Sequence, residues 1–114
     1  MDSHQLRLER IADTEGTARL VNEQVLKANG ESYGRDRDAL FRCECGNEIC
    51  DEPLSIPRDL YDRVRSDPML FIVRPGHAVP EAEEVIERGE GYEIVRKYDE
   101  VRDLVVASDP RRPG

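Results

Sequence analysis

Apolar and polar positions alternate along the chain in short blocks, separated by polar segments that carry Gly or Pro. From Thr17 to Ala28 the run TARLVNEQVLKA has helical periodicity, with Ala18, Val21, Val25 and Ala28 on one face and Ile11 joining them if the helix extends upstream. Gly16 weakens that extension, Asp13 and Thr14 offer an alternative N-cap, and Asn29-Gly30 supplies a C-terminal stop. The segment GESYGRDRD then reads as a polar loop. Ala39–Arg42 (ALFR) predicts a short strand, and Pro53–Ile56 a second extended segment.

Pro57 suits the first turn of a helix that continues through Arg58–Arg65, with Leu60, Tyr61 and Val64 as its buried stripe and Asp67-Pro68 as its end. Met69–Val73 (MLFIV) is the most apolar run and the clearest strand. It stops at Pro75-Gly76, which fits the central positions of a type II turn. Pro80–Arg88 begins with Pro and is rich in acids early, so a helix is expected there, with Glu81, Glu83, Glu84 and Glu87 facing solvent and Gly89 and Gly91 closing it. Gly91–Tyr98 alternates as a strand, Leu104–Ala107 (LVVA) is expected to pair with it, and the tail SDPRRPG has nothing to bury. The expected fold is a small zinc-stabilised α+β domain with a short antiparallel sheet, two to three helices and an N-terminal helix. Its organisation is an N-terminal helix and polar linker (1–38), a zinc-binding α+β unit (39–107) and a disordered tail (108–114).

Composition narrows the function. The 114 residues are 38% hydrophobic and 37% charged, with no Trp and two Phe, so burial is limited and a structural metal would matter to stability. The net charge is −8 with Arg scattered among acids, and no basic stripe is present to neutralise phosphates, so neither nucleic acid nor an anionic membrane is an expected partner. The charged start MDSHQLRLERIAD lacks the apolar centre of a signal peptide, which makes a reducing cytoplasm the expected location. There, clustered thiols bind metal more often than they form disulfides.

The chemistry concentrates in RCECGNEICD. Cys43, Cys45 and Cys50 are the only cysteines, and their acidic and polar neighbours are not a core pattern. Thiolates are the ligands of tetrahedral zinc sites, which take four protein ligands when structural. In Cys-x-Cys both sulfurs reach one ion if the backbone bends, Gly46 permits a tight turn, and four spacer residues return Cys50 to the same ion. The fourth ligand must be remote. His4 lies in a terminus expected to fray, whereas His77 directly follows the Pro75-Gly76 turn at the end of the strongest strand. The expected zinc ligands are therefore Cys43, Cys45, Cys50 and His77.

FRCECGNEIC, LYDRVRSDP, the strand LFIV, PGH and VIERGEGYEIVRK together resemble a family of small uncharacterised bacterial proteins with a Cys-x-Cys-Gly-x3-Cys knuckle and a Pro-Gly-His turn. The resemblance spans about Phe41 to Lys97, with a weaker echo at Val21-Asn22-Glu23. It implies that knuckle and His77 form one unit and implies no activity. The Cys-x-Cys-x4-Cys spacing is also similar to the cysteine cluster after the catalytic domain of SET-domain lysine methyltransferases, which borrows a distant fourth zinc ligand. Two-iron proteins with a Cys-Asp-Gly-Ser-His motif place their histidine close to the third cysteine, unlike this chain.

A catalytic zinc needs an open position and a general base, for which Glu44, Glu48 or Glu52 stand near; their plainer role is a solvated rim. A Cys50–His77 nucleophile–base pair is the other enzymatic option. Arg63 and Arg65 read as ordinary helix-surface residues. The expected function is a cytoplasmic zinc-binding protein, non-catalytic, that contacts a protein partner in interaction or regulation. The alternatives are a redox- or metal-responsive thiolate switch and a zinc-dependent hydrolase.

Overall fold

The computed structural model of the chain describes residues 3–29 and 37–111. Helix α1 (Ser3–Asn29) is followed by an antiparallel pair, β1 (Asp38–Arg42) and β2 (Pro53–Pro57), with the cysteine segment between them. Helix α2 (Arg58–Arg65) leads to strand β3 (Leu70–Val73), the hairpin β4 (Glu83–Gly89) and β5 (Tyr92–Lys97), a single 3-10 turn (Asp99–Val101) and helix α3 (Arg102–Ser108). The second sheet is antiparallel in the order β3-β5-β4, so the fold is α+β with two small sheets and three helices. The polar loop expected over 30–38 lies mostly outside the described residues, as do 112–114 of the tail.

Phe41, Leu54, Ile56, Tyr61, Met69, Phe71, Val73, Val95, Val101 and Val105 form the main core, which Leu8 of α1 joins. Phe41 and Tyr61 stack with ring centroids 4.5 Å apart, tying β1 to α2. The stripe expected for α2 is buried at Tyr61 and Val64, but Arg65, expected on the surface, is buried as well. It pairs with Asp109 and, at 3.3 Å, with Glu23 of α1.

Two elements differ from the expected ones. Residues 83–89 form a strand rather than a helix, because Glu90-Gly91 closes a hairpin and β4 completes a ladder along β5. Nonlocal pairing overrides the local helical signals. Glu83 consequently points inward, onto the buried Lys97 ammonium and the Val79 N–H (3.0 Å), and is not on a solvent-facing helix. Residues 104–107 are helical because β5 lies between β3 and β4 and has no edge left to offer. As part of α3 they set Val105 into the core and bring α3 against α1.

Helix α1 runs unbroken through Gly16, and its buried face is rotated from the expected one. The inward residues are Leu8, Ile11, Ala12, Glu15, Ala18, Arg19 and Asn22, while Val21 is exposed. Polar contacts dock its middle. Glu15 meets Lys97 of β5, and the Arg19 guanidinium lies 3.3 Å from the Phe71 ring centroid while donating to the carbonyls of Pro68 (3.0 Å) and Leu70. Gly16 suits the crossing with α3, since a Cβ there would stand 2.9 Å from Ser108 Cβ.

Candidate metal centre

The knuckle begins where β1 ends, and Glu44 fixes it. β3 is an edge strand, and Glu44 occupies its open side: its N–H donates to the Ile72 carbonyl (2.9 Å) and its carboxylate accepts from the Ile72 N–H (3.2 Å). The same carboxylate accepts from Tyr61 Oη (2.6 Å) and Asn22 Nδ2 (3.0 Å). Asn22 also brackets the backbone of Arg42, donating to its carbonyl (2.9 Å) and accepting its N–H (2.7 Å). Glu44 is thus a fully buried, fully engaged anion between two ligands, not part of a solvated rim or a free base.

From Glu44 the chain turns under α1. Gly46 has no left-handed backbone; positive φ among the described glycines is confined to Gly76 and Gly91. Gly46 is needed for close approach, because a Cβ there would lie 2.7 Å from Ile11 Cγ2. Asn47 then closes the loop, its carbonyl accepting from the Cys50 N–H (3.0 Å) and its side chain from the Ile49 N–H (3.2 Å).

The fourth group arrives from β3. The Arg74 N–H donates to Cys43 Sγ (3.2 Å), and the Arg74–His77 turn follows, with the His77 N–H on the Arg74 carbonyl (3.0 Å) and Gly76 at φ 83°, as a type II turn requires. His77 Nδ1 comes to 3.6 Å from Cys43 Sγ and 3.7 Å from Cys50 Sγ. The ligand atoms of Cys43, Cys45, Cys50 and His77 all lie within 4.8 Å of one another. Bonds of about 2.3 Å to sulfur and about 2.0 Å to nitrogen at tetrahedral angles place the nitrogen about 3.5 Å from each sulfur. The observed 3.6 and 3.7 Å match that edge, so the four residues can hold one metal ion.

The other imidazole nitrogen, Nε2, is 3.6 Å from Glu52 Oε2, and the Arg74 guanidinium anchors the same oxygen at 2.7 Å. That carboxylate stands on the side of the ring away from the sulfurs, a position from which it can orient the imidazole with Nδ1 toward them. Among the sulfurs, Cys45 has its pKa pulled down to about 4, chiefly by a hydrogen bond from the Cys43 thiol, with the Asn47 N–H and His77 contributing. Cys43 is pushed up because its proton is held in that bond, and by burial; burial also raises Cys50. Three crowded sulfurs ionise fully only around a cation, so loading the site releases protons.

All four residues expected as ligands are brought together, and His4, in α1, stands apart from them. The supporting groups Asn22, Glu44, Tyr61 and Glu52 carry no ligand-like spacing. Asn22 and Glu23 lie on or beside the docking face of α1, where helical periodicity points to Val21 and Val25.

Fold and centre define a small α+β domain with a Cys3His cluster able to bind a metal ion. Compared with protein-family models, curated proteins and solved structures, the chain has no match. No helix among the described residues is long and apolar enough to cross a membrane.

Proposed function

We propose that the chain is a zinc-binding protein with a structural site, serving in the cytoplasm as a non-catalytic module for protein interaction or regulation. The observation that carries the zinc reading is the convergence of three sulfurs and one imidazole nitrogen within 4.8 Å of one another, with the nitrogen at 3.6 and 3.7 Å from Cys43 and Cys50 Sγ. Four protein ligands close the sphere and leave no position for a water or substrate, which speaks against hydrolysis. The kinship with small bacterial proteins bearing the same knuckle and Pro-Gly-His turn belongs to this proposal. The interaction role is supported by Ile49, 82% exposed at the tip of the knuckle, and by Leu40, 64% exposed on β1.

Metal analysis of the purified protein tests the reading. One zinc per chain is expected, with a tetrahedral cobalt spectrum after exchange. His77→Ala should lower both zinc affinity and thermal stability. Unchanged affinity would remove His77 from the ligand set, and bound iron with visible absorbance would overturn zinc.

A further inference from the structure

A cleft of about 240 Å3 lies between α1 and the knuckle. Its walls include Thr14, Thr17 and Arg42, and all three cysteines, but not His77. At about 30 Å3 per water it has room for about eight waters, enough for a small solute to approach the sulfur side of the centre. The three sulfurs are not equivalent there. Cys43 is held just past the end of β3 by the Arg74 N–H, and Glu44 pins the backbone that joins it to Cys45. Cys50 is the least buried of the three, and the residues before it, Asn47, Glu48 and Ile49, are exposed.

We infer that this cleft admits hydroperoxides to Cys50, making the centre a site of reversible oxidation that joins Cys45 to Cys50 and releases the ion. The inference rests on the zinc site proposed above. The Cys50 thiolate attacks the terminal oxygen of the hydroperoxide; the S–O bond forms, the O–O bond breaks, and an alkoxide or hydroxide leaves. The Cys45 thiolate then attacks Cys50 Sγ, forming the S–S bond and expelling hydroxide. Two thiolates together lose two electrons, the O–O bond gains them, and the ion keeps its charge. Two of its four ligand atoms are withdrawn, which ends tight binding. Cys45 is the partner because Cys43 Sγ is held by the Arg74 N–H (3.2 Å), while Cys45 is joined to Cys50 through the exposed residues Asn47, Glu48 and Ile49. The Cys43–Cys45 segment cannot adjust without breaking the Glu44 contacts to β3 and α2.

The zinc-loaded full chain is exposed to hydrogen peroxide or cumene hydroperoxide. Zinc release is followed with a chromophoric chelator, and oxidised cysteines are located by alkylation and peptide mapping. Release in step with a Cys45–Cys50 disulfide is expected, with zinc rebound after a dithiol reductant. Thr17→Phe, at an exposed helix position on the cleft, should keep its zinc and slow release by the bulky peroxide about tenfold. Three results overturn the inference alone: zinc taken up but retained under peroxide, a Cys43–Cys45 disulfide, or an unchanged rate in Thr17→Phe. A chain that takes up no zinc overturns the metal reading, and this inference with it.

Discussion

Glu44→Gln tests whether the anion between two metal ligands organises the centre. The carboxylate is fully buried and accepts three hydrogen bonds, from Tyr61, Asn22 and the Ile72 N–H. Hydrogen bonds to a charged group contribute about 1.5–3 kcal/mol each, and an orphaned buried donor costs about 1–3 kcal/mol. Glutamine keeps one acceptor oxygen and turns an NH2 toward at least one of those donors, so a loss of about 2 kcal/mol is expected. For a domain of this size that lowers Tm by roughly 10 °C. Glu44→Ala orphans all three donors at about 3–9 kcal/mol, much of the 5–15 kcal/mol typical of a whole domain, so it is the harsher and less informative change.

Tyr61→Phe removes the hydroxyl and keeps the ring stacked on Phe41. It should cost about 2 kcal/mol by itself, and the double variant should show about 1–2 kcal/mol of coupling. The assay is urea unfolding of the metal-loaded protein, with metal content measured for each variant. Glu44→Gln within about 0.5 kcal/mol of the unsubstituted chain, or absent coupling, would refute the reasoning that the Glu44 hydrogen bonds organise the centre.

Glu15, buried beside Lys97 and Glu83, has its pKa raised to about 8, chiefly by burial, against an ordinary 4.5. Its stabilisation is therefore complete below about pH 4.5 and lost as pH rises through about 8, at up to about 1.4 kcal/mol per pH unit. Urea midpoints across that window should slope downward in the unsubstituted chain and much less in Glu15→Gln; equal slopes would exclude this group as the cause. Gly46→Ala should weaken zinc binding and stability by about 1–3 kcal/mol through contact with Ile11, with partial rescue by Ile11→Ala in a denaturation series. Glu52→Ala should reduce zinc affinity about tenfold in a chelator competition while one zinc still binds at saturation, since it removes the orienting group on His77 Nε2 and no ligand.

Local chemistry determined the parts of this protein that are covalently close or strongly patterned. The Cys-x-Cys-x4-Cys spacing set three ligands within eight residues, and Pro75-Gly76 turned His77 back on the end of an apolar strand. α2, β3 and β5 follow from their own apolar runs and end signals. Tertiary structure decided the rest, because those features depend on partners far along the chain. A helical pattern became β4 once β5 offered an edge, and an apolar run became α3 once no edge was left. Glu15, Arg19, Glu44 and Arg65 look like surface residues in the sequence and are buried in the fold. Burying a charge is costly until its counterion and hydrogen bonds are assembled. Tyr61 hydrogen-bonds Glu44, Asp109 pairs with Arg65, Lys97 meets Glu15 and the Phe71 ring faces Arg19, all from positions that no local pattern connects. The sequence by itself thus specified which residues can hold a metal ion, and the packing of distant charged groups decided how those residues are positioned.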